Sequence, residues 1–249
     1  MGIKSFVQRT ARQLGYDVIY FDRIRLLKRF GVNLVLDVGA NVGQYGEEMR
    51  AVGYKGRTVS FEPLSREFHR LTQRAKRDNL WETVNCALGE SDGTAEIHVS
   101  GNSVSSSLLG ILPRHLRSAP TSAYTKTETI RIAKLDSVFR DHSQAGDRVL
   151  LKLDTQGYEY QVLQGATASL PYIVGLQIEM SLVPLYEGEK RFSEMVPYVT
   201  SLGFSLMSIE PVFRDSATGQ MLAVDGTFYR DEKQPDAIAS VRDAGLVTT

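Results

Sequence analysis

The segment Leu34-Val35-Leu36-Asp37-Val38-Gly39-Ala40-Asn41-Val42-Gly43 constrains this chain more than any other. An apolar run short enough to be a strand passes into a loop framed by two glycines and then into a helix expected near 43–52. A strand with this near-continuous apolar pattern is buried on both faces, which calls for a parallel sheet covered by helices. The chain continues in kind. Thr58–Glu62 and Trp81–Leu88 read as the next strands, with Phe68, Leu71 and Ala75 forming the buried stripe of the helix between them. Val149–Asp154 and Ile173–Glu179 resume the sheet around a helix expected at 157–169, and Phe192–Leu202 supplies another helix. Phe204–Pro211 and Met221–Tyr229 flank a turn-like Asp215–Gly219 and predict an antiparallel hairpin.

The remaining segments are less regular. Thr94–Val99 and Thr127–Ile132 alternate as strands, and between them Gly101–Tyr124 is rich in Ser, Gly and Pro. A stretch of that length reads as a binding lid or as disorder. Residues 1–31 predict a helical extension whose apolar stripe includes Tyr20, Ile24 and Leu27. Its basic residues Lys4, Arg9, Arg12, Arg23, Arg25, Lys28 and Arg29 leave two readings open: a solvated helix face, or peripheral contact with a membrane or an anionic substrate. Residues 32–230 are read as one α/β domain and 231–249 as a flexible tail.

Charge and cysteine content narrow the classes. Lys plus Arg and Asp plus Glu are both 29, so there is no basic excess of the kind that drives nucleic-acid binding. Cys86 is the single cysteine, which fits a reducing compartment. With no signal-peptide core and no apolar span of membrane length, the expectation is a cytoplasmic protein without a transmembrane segment.

In open α/β sheets ligands bind beyond the carboxyl ends of the strands. The loop Gly39, Ala40, Asn41 and Gly43 lies at such an end, where glycine permits close backbone approach and Asn tolerates a left-handed conformation. Asp37 is placed to reach the ligand's amino group, directly or through water. Glu62, nineteen residues after Gly43 and followed by Pro63, suits an acid that accepts the two ribose hydroxyls of an adenosine ligand. Ala87 and Leu88 would flank the adenine. A dinucleotide fingerprint counted from Gly39 requires glycine at 41 and 44, where this chain has Asn41 and Gln44. That excludes the dinucleotide reading, and the closing hairpin favours the seven-stranded sheet of a methyltransferase.

Val35–Gly43, Phe61-Glu62-Pro63, Leu151-Lys152-Leu153-Asp154-Thr155-Gln156-Gly157-Tyr158-Glu159, Gly165-Ala166, Leu176-Gln177-Ile178-Glu179 and Val224–Tyr229 together resemble the FkbM-type methyltransferases over about residues 32–230. The resemblance implies a Rossmann-like class I methyltransferase fold: a seven-stranded, mostly parallel sheet with a C-terminal antiparallel hairpin. It implies S-adenosyl-L-methionine as cofactor and O-methylation of a sugar hydroxyl in a small molecule or glycan. The family often has Glu where this chain has Gln156, so that charge is missing here.

Asp154 and Glu179 end neighbouring strands in the expected order, about 5 Å apart. Asp154 is the leading candidate to orient or deprotonate the acceptor, with Glu179 beside it. Asp154 and Gln156 also join the cofactor-binding set. The two acids have an alternative role as oxygen ligands of Mg²⁺, and a bland one in capping a helix or, for Asp154, pairing with Lys152. Glu159 suits either the helix dipole or the substrate. His69, His98, His115 and His142 read mainly as surface or packing residues. Ser103 and Ser105–Ser107 could donate to the cofactor or the sugar. Tyr186 and Lys190 match the spacing of a short-chain dehydrogenase, but Gly188 after Pro184 is a poor setting for its helix. A protein that binds S-adenosylmethionine without transferring its methyl group remains the alternative.

Overall fold

A computed structural model describes residues 23–230. In chain order the elements are α1 (Arg23–Arg29), β1 (Leu34–Val38), α2 (Gln44–Ala51), β2 (Arg57–Phe61), α3 (Ser65–Ala75) and β3 (Trp81–Val84). There follow β4 (Ala87–Leu88), β5 (Gly93–Ser100), α4 (Pro113–Ser118), β6 (Tyr124–Ala133), α5 (Leu135–His142) and β7 (Val149–Leu153). The chain closes with α6 (Glu159–Gln164), β8 (Ile173–Ser181), α7 (Phe192–Ser201), β9 (Phe204–Arg214) and β10 (Met221–Arg230).

The main sheet has seven strands in the order β3-β2-β1-β7-β8-β10-β9. β10 runs antiparallel between β8 and β9, and the other neighbours pair in parallel. This is the Rossmann-like α/β sheet expected from the strand–helix alternation. One face packs Leu34, Leu36, Leu151 and Leu153 against Val138, Phe139, Leu163 and Val199 of α5, α6 and α7. The other packs Val35 and Leu150 against Leu27, Tyr45 and Met49 of α1 and α2. The apolar stripe expected in the N-terminal extension is seen at Leu27, which is buried, and at Ile24, which is partly so. Residues 1–22 of that extension, with Tyr20, Lys4, Arg9 and Arg12, and the tail 231–249 lie outside the described residues.

Three elements differ from the sequence reading. Trp81–Leu88 is two strands, because Asn85 donates from Nδ2 to the carbonyls of Glu62 (2.8 Å) and Pro63 (3.0 Å) and turns the chain out of the main sheet. Ala87–Leu88 then pairs with β6 in a second sheet, ordered β4-β6-β5. That sheet has its own core of Leu64, Ala87, Ile97, Val99, Ile130 and Ile132. The helix expected over 157–169 stops at Gln164, since the Asp136 carboxylate captures the backbone N–H groups of Ala168 (3.0 Å) and Ser169 (2.8 Å). Finally, 101–124 is built rather than loose. Its Ser107 exchanges backbone hydrogen bonds with His98 on β5, and it contains α4.

Gly165 sits where a Cβ would penetrate the carbonyl oxygen of Gly89. Both atoms belong to rigid backbone, so the overlap has no cheap relief. Gly165→Ala is expected to lower unfolding stability by about 2–4 kcal/mol, measured by urea denaturation, as overpacking of a close backbone contact does. A loss under 0.5 kcal/mol would show that the α6 end can move aside.

Candidate active site

β1, β2, β4 and β7 all point their carboxyl ends at one cavity of about 260 Å³. Gly39, Ala40 and Asn41 form one wall, Glu62 and Pro63 the next, and Ala87 and Leu88 a third. Asp154, Thr155 and Gln156, directly after β7, close the fourth. Ser103, Ser106 and Ser107 of the 101–124 segment cover it, with Asn41 donating to the Ser103 hydroxyl at 3.3 Å.

The loop geometry follows from a few backbone demands. Gly39 (φ 79) lies so close to β7 that a Cβ would overlap the carbonyl oxygen of Asp154. Asn41 adopts φ 49, the left-handed region expected of it. Gly43 (φ 93) is behind the loop: its Cα faces Leu71 and Trp81, so it serves helix packing and does not line the cavity. Glu62 is buried and accepts from the backbone N–H of Asn41 and of Leu64, both at 2.8 Å. One carboxylate thereby ties the β1 loop to the β2 end. Burial pushes the Glu62 carboxyl up to about 7.

Asp37 departs from its expected role. It is fully buried, accepts from Ser60 Oγ at 3.0 Å and pairs with Lys152 Nζ at 3.2 Å, below the cavity and not on its wall. Lys152, which sequence reasoning treated only as a neighbour of Asp154, does line the cavity. Its ammonium also pairs with Asp154 Oδ2 at 3.3 Å and sits 5.2 Å from the Tyr45 ring centre. Burial alone would lower the Lys152 pKa, but Asp154 and Asp37 outweigh it and hold the ammonium above the ordinary lysine value.

These side chains form a row. Thr83, Ser60, Asp37, Lys152, Gln177, Thr227 and Ser208 are register partners across successive strands of the main sheet. Tyr45 donates to Gln177 Oε1 (2.8 Å), and Gln177 donates to Asp225 (2.9 Å). The signal in the sequence was a polar residue in the next-to-last position of the strand, as in LVLDV, RTVSF and VLLKL.

Asp154 and Glu179 are brought together as expected, and Gln156 joins them. In a left-handed conformation (φ 55), Gln156 donates from Nε2 to Asp154 Oδ1 (2.8 Å) and Glu179 Oε2 (3.0 Å) and accepts from the Tyr186 hydroxyl (2.6 Å). Burial and the Asp154 charge raise Glu179 well above the usual carboxylate range. Burial would raise Asp154 too, but Lys152 reverses this and lowers it. Of the pair, Asp154 therefore gives up its proton first and Glu179 last.

Glu159 is a loop clamp. Its Oε1 accepts from Thr155 N (2.7 Å), Thr155 Oγ1 (3.1 Å) and Gly157 N (3.3 Å). Burial pushes it up to about 7. His98 stacks on Tyr124 rather than facing the cofactor cavity. Tyr186 is held by Gln156, and Lys190 is exposed and paired with Glu194, which separates the dehydrogenase-like pair. Among the described residues no group of three or more His, Cys, Asp or Glu is placed to hold a metal ion. The cation beside Asp154 is Lys152.

The Methyltransferase FkbM domain model matches residues 37–206. The chain belongs to the FkbM methyltransferase family. It is an S-adenosylmethionine-dependent methyltransferase by that membership, and its cavity is lined by the acid Glu62 at the β2 end, the left-handed Asn41 loop and the apolar Ala87 and Leu88. No curated protein sequence matches the chain. Among solved structures it is similar to TehB from Haemophilus influenzae, at 10% identity and TM-score 0.47, covering 89% of this chain. The chain spans 65% of the length of TehB. Magnesium protoporphyrin IX methyltransferase from Synechocystis PCC 6803, with bound SAM, is 11% identical (TM-score 0.45), covering 92% of this chain and 82% of its own. An rRNA methylase from Streptococcus thermophilus is also 11% identical (TM-score 0.44), covering 86% and 99%. No helix among the described residues is long and apolar enough to cross a membrane.

Two measurements test this methyltransferase's electrostatic framework. Lys152→Met strands the buried Asp37 carboxylate and is expected to cost about 3–5 kcal/mol of stability, partly recovered in Lys152→Met/Asp37→Asn. Absence of any recovery would show that the pair is not coupled. Glu159, raised from 4.5 to about 7, keeps its proton in the folded state while the unfolded chain loses it. Its contribution therefore falls as pH rises across that window. His115, depressed to about 4 by burial, works in the opposite sense. The clean reading is a difference: the stability of Glu159→Gln relative to the parent should grow from pH 4.5 to pH 8, and a constant difference would contradict the assignment.

Proposed function

We propose that this methyltransferase moves the methyl group of S-adenosylmethionine to a hydroxyl of a sugar or glycosylated natural product. One observation carries the reading: a second cavity of about 300 Å³, lined also by Glu179, meets the first at Val104, Asp154 and Gln156. A cofactor site and an acceptor site that share an anionic carboxylate have the layout a hydroxyl nucleophile requires.

The bound cofactor supplies a sulfonium whose methyl carbon is attacked in line, so that a carbon–oxygen bond forms as the carbon–sulfur bond breaks. The protein's part is to position and to manage one proton. Gln156 and Lys152 fix both oxygens of Asp154, so its carboxylate is oriented before the acceptor arrives. Asp154 accepts the hydroxyl's hydrogen bond and takes its proton as the oxygen is alkylated. Glu179, held well above the usual carboxylate range, keeps its proton after Asp154 has lost its own and so keeps a second negative charge away from that oxygen. Glu62 accepts the ribose hydroxyls, and Ala87 and Leu88 supply the apolar wall beside the adenine.

Calorimetry is expected to show binding of S-adenosylmethionine and S-adenosylhomocysteine and none of NAD; the reverse would sink the cofactor assignment. Asp154→Asn should lower turnover about 100-fold or more while changing cofactor affinity little. Unchanged turnover would remove Asp154 from the chemistry. Glu179→Gln fixes that side chain neutral, so its turnover should stay near the parent's until Glu179 ionises and run ahead of it as pH rises beyond that point. A deficit that grows with pH would show that ionised Glu179 takes part in the transfer.

A further inference from the structure

The second cavity bears on what kind of acceptor enters, an inference that rests on the transfer reading above. Its lining includes Asp154, Glu159 and Glu179, and among the described residues that line it none is Lys or Arg. Lys152 points its ammonium toward Asp37 and Asp154 and belongs to the cofactor cavity. The amide that could have served an incoming anion is spent as well, because Gln156 Nε2 bridges the two acids.

The rest of the wall is polar and uncharged. Ser105 and Ser122 share a hydrogen bond at 3.0 Å, and Asn102 donates to both, at 3.1 and 3.0 Å. His115 joins through Nε2, 3.1 Å from the Ser122 hydroxyl. It is buried, and burial holds it neutral by pushing its pKa down to about 4. Its Nδ1 has no partner among the described residues. The Tyr186 and Phe213 rings lie against His115, at 5.2 and 5.1 Å between centres.

We infer that this cavity selects an uncharged, hydroxyl-bearing acceptor and rejects its anionic counterpart, a uronate or a phosphate ester. A carboxylate or phosphate entering here would lose its water and meet no cationic partner, while facing the carboxyl groups of Asp154, Glu159 and Glu179. Hydroxyls and C–H faces lose little, since serine hydroxyl oxygens, His115 Nδ1 and ring surfaces replace their hydration.

The decisive test reads the cavity's charge without any acceptor. In a Cys86→Ala background, Val104→Cys places a thiol at the mouth shared by both cavities, and Leu80→Cys places a control of similar exposure (49% and 47% for the native side chains) elsewhere. Each is modified with a neutral and an anionic methanethiosulfonate. The anionic-to-neutral rate ratio at Val104→Cys is expected to be about fivefold or more below the control, as the Coulomb term of nearby carboxylates requires. Equal ratios, or a higher one at the cavity, overturn the inference.

Matched acceptors then separate this inference from the function it rests on. With a neutral methyl hexoside, its uronate and its 6-phosphate, kcat/KM should favour the neutral member by about tenfold or more. Preference for either anion overturns the charge rule and leaves the transferase standing. A low thiol ratio with bound cofactor but no transfer to any sugar supports the charge rule and overturns the sugar reading.

Discussion

The buried ammonium of Lys152 is the interaction on which the rest of the site depends. It lies between Asp37, sealed in the centre of the sheet, and Asp154, at the edge where chemistry is placed. An ionised Asp37 without it would be a bare charge in a low-dielectric interior, several kcal/mol out of balance. The ammonium resolves that cost and simultaneously settles the charge of Asp154. The sheet's polar row thus couples a structural requirement to a functional one, through a single side chain two residues before the acid it tunes.

Around that anchor the protein uses tight backbone approaches to hold its loops. Gly39 lets the β1 loop touch the backbone after β7, and Glu62 bonds the same loop to the end of β2. The cofactor walls are thereby braced on three strands. The small second sheet adds Ala87 and Leu88, carried there because Asn85 pulls the chain away from the main sheet. The 101–124 segment spans both cavities and bonds to the loop after β7, where Ser107 donates to the Gln156 carbonyl at 2.7 Å. The two cavities therefore adjoin along one short stretch, Asp154–Gly157.

Gln156 shows how one residue type alters such a boundary. An amide donates to two carboxyl groups at once and accepts from Tyr186, whereas a glutamate there would bring a third acid into contact with the other two. The departure from the common family pattern that is visible in the sequence is, in three dimensions, the linchpin of the acid pair.

The sequence by itself determined the strand–helix alternation, the glycine-framed loop with its left-handed Asn41, the acid Glu62 and the meeting of Asp154 with Glu179. Each follows from local rules: apolar periodicity, backbone preference, and the geometry of neighbouring parallel strands. Tertiary structure alone decided that Asp37 faces Lys152 instead of the ligand, that Gly43 serves Leu71 and Trp81, and that Trp81–Leu88 divides between two sheets. It also decided that a helix ends at Gln164 and that 101–124 is an ordered cover. Those outcomes depend on partners tens of residues away, such as Asp136 for Ser169 or Glu62 for Asn85. A linear pattern records which residues can bury or bond, but their partners are set only when the sheet brings distant strands into register.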